Sequence, residues 1–250
     1  MPKLNDETIN TETLKGSNFG YSAVQIDNLG ATEYTLVTIA VDVSGSVRSY
    51  KLEMEKSISS IIEACKCSPR ADNLLVRLVT FSDDIEEIHG FKLLENCNVS
   101  DYNSVLKIKG STNLFDAAYN AIEATNDYAD SLYENDFDVN AIVFVVTDGG
   151  DTGSIKSADN VKGLCDDCHV QEKLESLVTI LVGVGVGGYS TISGYLNSFK
   201  QDGGFNQYIE IDKATPAKLS KLADFVSKSI SAQSQALGSG GPSQPFYLEI

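Results

Sequence analysis

The chain is poor in positive charge. Its 250 residues carry 19 Lys and Arg against 35 Asp and Glu, a formal net charge of −16 with a pI near 4.4. Such a surface repels phosphate backbones and anionic headgroups, which argues against nucleic acid and membrane as partners. Long apolar runs are also missing: the longest, residues 177–186, is about half of what a membrane-spanning helix needs. Residues 1–20 mix polar and charged side chains without an apolar segment, so no secretory signal is visible and a cytoplasmic protein is expected. Histidine is scarce. His89 falls in a strand pattern and His169 beside Cys168, and neither is placed to act as base for a nucleophilic hydroxyl.

Cysteine is present in an odd number, five, which speaks for reduced thiols rather than a disulfide framework. Cys165 and Cys168, followed by His169, resemble half of a zinc knuckle, and the other half would have to come from Cys65 and Cys67. The helix carrying Cys65 and Cys67 should finish at the amino edge of a sheet, whereas Cys165 follows a loop from the carboxyl edge. Structural zinc is therefore the weaker reading. Cys97 is expected near Cys65 or Cys67.

What is present is the composition of a soluble globular protein, 42% hydrophobic and 22% charged, long enough for one full core. Residues 34–41, 73–81, 139–146, 177–183 and 208–211 read as strands. Helical patterns cover 47–64, 112–133, 165–176, 191–199 and 216–234. On the second of these, Leu114, Ala117, Ala118, Ala121, Ile122 and Thr125 share one face. Residues 85–94 form a further strand, and the short Ser82-Asp83-Asp84 link makes it an antiparallel hairpin partner of 73–81. The alternation predicts an α/β fold: a Rossmann-like, doubly wound, mainly parallel sheet with one antiparallel edge strand and helices on both faces. Residues 1–30 are expected as an N-terminal arm with an edge strand at 21–29, residues 31–237 as the domain, and residues 238–250 as a flexible tail.

Three segments place small polar residues at the carboxyl edge of that sheet, where ligands of open α/β folds bind. Asp42, Ser44 and Ser46 lie on the turn after the first central strand, Thr112 lies just before a helix, and Asp148 follows the apolar strand 139–146. Hard oxygens with little charge suit a hard divalent cation, Mg²⁺ before Ca²⁺. Taken singly, each segment has an ordinary explanation: Thr112 or Asn113 as a helix cap, Asp148 as a turn residue. Gly183, Gly185 and Gly188 match the spacing of a dinucleotide loop, with Asp212 near the end of the next strand. The short polar helix that follows, and the late position in the chain, weigh against a nucleotide.

The ordered set D-x-S-x-S at Asp42-Val43-Ser44-Gly45-Ser46, G-x-T at Gly110-Ser111-Thr112 and T-D-G at Thr147-Asp148-Gly149 resembles the metal-ion-dependent adhesion site (MIDAS) of von Willebrand factor A-type (VWA) domains. The resemblance covers about residues 34–230. It implies a cation approached by the hydroxyls of Ser44, Ser46 and Thr112, with Asp42 and Asp148 direct or through water. It also implies a non-enzymatic protein-interaction module in which Mg²⁺, Mn²⁺ or Ca²⁺ takes a carboxylate, an Asp or Glu side chain or a chain terminus, from a protein partner. Cytoplasmic members often serve stress or defence systems. Asp83, Asp84 and Asp151 are expected only as rim charges.

A rival is Mg²⁺-dependent phosphoryl transfer, since an aspartate after the first strand is also a phosphatase arrangement. That chemistry wants a second carboxylate two residues on, where this chain has Ser44. Another reading makes the chain a subunit of a larger assembly or homo-oligomer. Phe246, Tyr247, Leu248 and Ile250 cluster around Glu249 behind a Gly- and Ser-rich linker able to span about 25 Å, which gives self-association through residues 242–250, either as a strand added to a sheet edge or with the Glu249 side chain or the terminal carboxylate in the cation site of another copy.

Overall fold

The computed structural model describes residues 9–14, 20–170, 173–211, 215, 218 and 226–230. Eight strands form one sheet: β1 Ile9–Thr13, β2 Gly20–Val24, β3 Glu33–Asp42, β4 Leu74–Phe81, β5 Ile85–Leu93, β6 Asp138–Thr147, β7 Ser176–Val184 and β8 Gln207–Ile211. Their spatial order is β1-β2-β5-β4-β3-β6-β7-β8. β4, β3, β6, β7 and β8 are mutually parallel, and β5 returns antiparallel to β4 as the three-residue link requires. The chain steps outward from β3 to β4 and then crosses back to β6. The β3/β6 boundary is thus the topological switch point, where helices leave on opposite faces and a crevice opens at the carboxyl ends.

Alternation along the central strands builds two cores. Leu36 and Ala40 of β3 and Ala141, Val143 and Val145 of β6 face α2 Leu114–Tyr133, α3 Ala158–Val170 and α4 Ser190–Asp202. Val37, Ile39 and Val41, with Ile142, Phe144 and Val146, face α1 Lys51–Lys66 and the helical residues 226–230. Both faces of β3 and β6 are covered, which explains their nearly unbroken apolar sequence. The six residues predicted for the inner face of α2 are all buried.

Three boundaries differ from expectation. First, residues 45–49 form a 3₁₀ turn, closed by the Val47 N–H on the Ser44 carbonyl at 3.2 Å and the Tyr50 N–H on the Val47 carbonyl at 2.7 Å, and α1 starts only at Lys51. Second, α3 begins at Ala158, not near Cys165, and ends at Val170. Ser157 and Asn160 cap its start reciprocally: the Ser157 N–H donates to Asn160 Oδ1 at 3.0 Å, and the Asn160 N–H to Ser157 Oγ at 3.3 Å. Third, the strand expected at 21–29 forms at 20–24 as β2, but a further strand, β1, lies outside it, so neither β2 nor β5 is the sheet's edge. Residues 9–13 and 20–24 pair antiparallel as β1 and β2, and β2 joins β5 in parallel through Ala23 and Phe91.

A buried polar link anchors that extension. Arg77, 1% exposed on β4, donates from Nε to Glu87 Oε2 at 2.9 Å, and Glu87 Oε1 accepts from both N and Oγ of Ser22 at 3.0 and 2.5 Å. Gly90 allows the approach, since a Cβ there would lie 1.9 Å from the Ser22 carbonyl oxygen. Most of the helix expected over 216–234, and the tail from 238, lie outside the described residues. Among the described residues no helix is long and apolar enough to cross a membrane.

Candidate metal centre

At the switch point Asp42, Ser44, Ser46 and Asp148 are linked by hydrogen bonds, and Thr112 stands on a neighbouring segment. Asp42 is the last residue of β3, fully buried, and both carboxylate oxygens are engaged. Oδ1 accepts the Ser44 N–H at 2.7 Å and Oδ2 accepts the Thr147 hydroxyl at 2.7 Å. The 3₁₀ turn then brings Ser44 Oγ within 3.0 Å of Ser46 Oγ, and Ser46 Oγ donates to Asp148 Oδ1 at 2.8 Å. Two separate strand ends are thereby linked, Asp42 through the Ser44 backbone N–H and Asp148 through the hydroxyls of Ser46 and Ser44. Ser46 is the exposed member, while Ser44 and Asp148 are buried.

Thr112 comes from a third segment and is held through its backbone. Its N–H donates to Thr152 Oγ1 at 2.9 Å, and its carbonyl accepts the Thr152 N–H at 2.8 Å and hydroxyl at 3.0 Å. Among the described residues its own hydroxyl makes no hydrogen bond and caps nothing. The cap of α2 is supplied from elsewhere: Asp151 Oδ1 accepts the Phe115 N–H at 3.3 Å, and Ser154 Oγ accepts the Asp116 N–H at 3.1 Å. Asn113 is the boundary residue, and its side chain instead donates to the Asp83 carbonyl at 3.0 Å. The Thr112 segment meets the Ser44 turn through the Gly45–Gly110 bond and through Lys109 N–H to the Val43 carbonyl at 2.7 Å.

Electrostatics set the two carboxylates apart from ordinary surface aspartates. Burial pushes the Asp42 carboxyl up to about 6 against the pull of the Ser44 and Thr147 hydrogen bonds, and the Asp148 charge adds to the rise. Burial also raises Asp148, opposed by the Ser46 hydrogen bond. Two dehydrated anions and three hydroxyls form a donor set suited to a hard divalent cation, whose charge would reverse both shifts. Among the described residues no group of three or more His, Cys, Asp or Glu side chains that could hold a metal ion occurs.

Thr147, Thr152, Asp83 and Asp151 are supporting residues that sequence reasoning missed or read as rim charges. Asp83 accepts both the N–H of Ser111, at 2.9 Å, and its hydroxyl, and those bonds hold its carboxyl below the usual range. Gly110 adopts φ +68°, and a Cβ on it would lie 2.2 Å from Asp83 Oδ2. The other sequence candidates fall elsewhere. Cys165 and Cys168 belong to the α2-side core and Cys65 to the α1-side core, while Cys67 is exposed, so the sheet separates the thiols a zinc knuckle would need. Cys97 joins Cys65 in the α1-side core. At Gly183 a Cβ would meet the Tyr208 hydroxyl at 2.8 Å, and at Gly185, φ +73°, the Tyr50 ring at 2.4 Å, so close packing accounts for these glycines. His89 bonds Tyr102 and not the crevice.

The model of the von Willebrand factor type A domain family matches residues 37–224, and the chain belongs to that family. Domains of this family are generally adhesion or interaction modules rather than enzymes. Similar solved structures include the PilB minor pilin from Streptococcus sanguinis (TM-score 0.60, 15% identity, 87% of this chain and 66% of that one). The pilus adhesin SpaC from Lactobacillus rhamnosus GG is a second (0.56, 11%, 91% and 35%). A third is proximal thread matrix protein 1 from the mussel byssus with a zinc-occupied MIDAS motif (0.50, 18%, 79% and 46%). These likenesses show the fold, and the chain spans between about a third and two thirds of their lengths. No curated protein matches the chain significantly.

Proposed function

We propose that the chain is a metal-dependent protein-interaction module. Ser44, Ser46 and Thr112 would hold a divalent cation with their hydroxyls, Asp42 and Asp148 would balance its charge, and the small number of hard donors favours Mg²⁺ over Ca²⁺, with Mn²⁺ the alternative. The bound cation would supply an electrophilic position for the carboxylate of a protein partner. Neutral hydroxyls leave more net positive charge on such an ion than a fully anionic shell would, so an incoming anion is attracted. The observation that carries this reading is the unbroken contact from Asp42 through Ser44 and Ser46 to Asp148. Phosphoryl transfer is disfavoured because Ser44 stands where its general acid is needed.

Thermal unfolding of wild type and Asp42→Ala, in EDTA and with Mg²⁺, Mn²⁺ or Ca²⁺, tests the reading. A metal-dependent rise in midpoint for wild type, absent in Asp42→Ala, is expected. An equal response of both proteins would refute it.

A further inference from the structure

We propose that the crevice and its apolar rim receive residues 246–250 of this chain, with Glu249 meeting the cation site and its apolar neighbours resting on Ile155 and Tyr189. The inference rests on the cation reading above. Among the described residues six large hydrophobic side chains are exposed: Leu52, Tyr133, Ile155, Val170, Tyr189 and Tyr195. Tyr133 and Val170 end α2 and α3 at the far side of the sheet. Leu52, Ile155 and Tyr189 stand in a first turn or loop after β3, β6 and β7, and Tyr195 in the second turn of α4, all toward the end of the sheet that carries Asp42 and Asp148. Four of the six exposed apolar side chains thus stand at the end of the sheet at which a partner carboxylate would arrive.

Ile155 is 94% exposed, yet its loop is held firmly. Its N–H donates to Asp116 Oδ2 at 3.0 Å, and the Lys156 N–H to Asp116 Oδ1 at 2.7 Å. The Ser154 hydroxyl donates to Asp151, and the Lys156 ammonium lies 4.0 Å over the Tyr119 ring. Tyr195 is fixed as well: its ring covers Gly150, and its hydroxyl accepts the Asp151 N–H at 3.3 Å. A braced loop backbone loses little conformational freedom on docking, so the ordering cost is confined to the side chains themselves.

Charge selects the occupant. A chain of net charge −16, with Asp83 and Asp84 exposed at this rim, repels a polyacidic segment. A segment with one carboxylate among apolar side chains fits, and residues 246–250 read Phe-Tyr-Leu-Glu-Ile. Reach is sufficient: the nineteen residues from Ile230 to Glu249 span up to roughly 60 Å when extended.

The test uses the full chain carrying Glu249→Gln as receptor and a fluorescein-labelled peptide of residues 242–250, amidated so that Glu249 is its one carboxylate. Fluorescence anisotropy should report saturable binding in Mg²⁺ or Mn²⁺. EDTA, or Glu249→Gln in the peptide, should weaken it at least about tenfold, and Ile155→Ser and Tyr189→Ser in the receptor by about three- to tenfold each. Equal binding of the Glu249→Gln peptide, or indifference to both receptor substitutions, overturns the proposal. So does an absence of peptide binding to a receptor whose unfolding midpoint still rises with metal, and that outcome leaves the cation reading standing. Loss of the metal-dependent midpoint shift itself would bring down both.

Discussion

Replacing Thr147 by Val isolates one hydrogen bond at the heart of the crevice. The two side chains are close in volume, Thr147 is fully buried, and its hydroxyl is the donor to Asp42 Oδ2 at 2.7 Å. Without it a buried carboxylate oxygen loses its partner, and hydrogen bonds to charged groups are worth about 1.5–3 kcal/mol. The same hydroxyl also lies 3.1 Å from both the carbonyl and the N–H of Gly149, so the turn that aims Asp148 loosens too. In EDTA at neutral pH the variant should unfold about 3–12 °C below wild type, given about 2–4 °C per kcal/mol for a chain of this size. Thr147→Ser keeps the hydroxyl and deletes one methyl, which should cost about 1 kcal/mol. Urea denaturation of all three proteins in EDTA gives the ranking. If Thr147→Val is as stable as wild type, or Thr147→Ser falls as far as Thr147→Val, the hydrogen bond does not hold Asp42 and the reasoning fails.

Acid should destabilise the fold through His89. The Gly90 carbonyl can only accept, so Nδ1, 2.9 Å away, carries a proton, and in the neutral ring Nε2 accepts the Tyr102 hydroxyl at 2.9 Å. Burial, reinforced by the Lys92 charge, draws its pKa down from 6.5 to about 4. The folded state therefore binds the proton less readily than the unfolded state. Stability from this group is complete above pH 6.5 and is lost as pH falls from 6.5 toward 4, by about 3 kcal/mol. Urea midpoints across that window should fall for wild type and more shallowly for His89→Phe. Gly110→Ala should cost about 1–3 kcal/mol through its left-handed φ and the displaced Asp83 carboxylate, and should weaken metal binding, both visible in calorimetry. Glu87→Gln removes the charge opposite buried Arg77 and should cost about 3 kcal/mol. Limited proteolysis should then cut residues 9–24 faster than in wild type.

The central strands were legible because β3 and β6 are covered on both faces and so read as apolar runs whose ends must fall near Asp42 and Thr147. The crevice followed, since the polar residues after those runs sit at strand ends whatever the helix boundaries. What stayed hidden depends on contacts far apart in sequence. Ser22 reaches Glu87, Thr152 locks Thr112 and Asp83 grips Ser111 only once the sheet has formed, so no local pattern marks them. The attachment of β2 belongs to the same group: it needs the Arg77–Glu87 pair and the space at Gly90. The start of α3 was different. Ser157 and Asn160 stood in the sequence as a capping pair, but the polar first turn of that helix masks its periodicity.

The most direct measurement is Mn²⁺ uptake by metal-free protein, followed by loss of the free-ion electron paramagnetic resonance signal. Wild type should take up one Mn²⁺ per chain, displaceable by Mg²⁺, and Asp42→Ala and Ser44→Ala should take up none at the same concentrations. Uptake that is absent in wild type, or unchanged in both variants, would contradict the assignment of this crevice as a cation site.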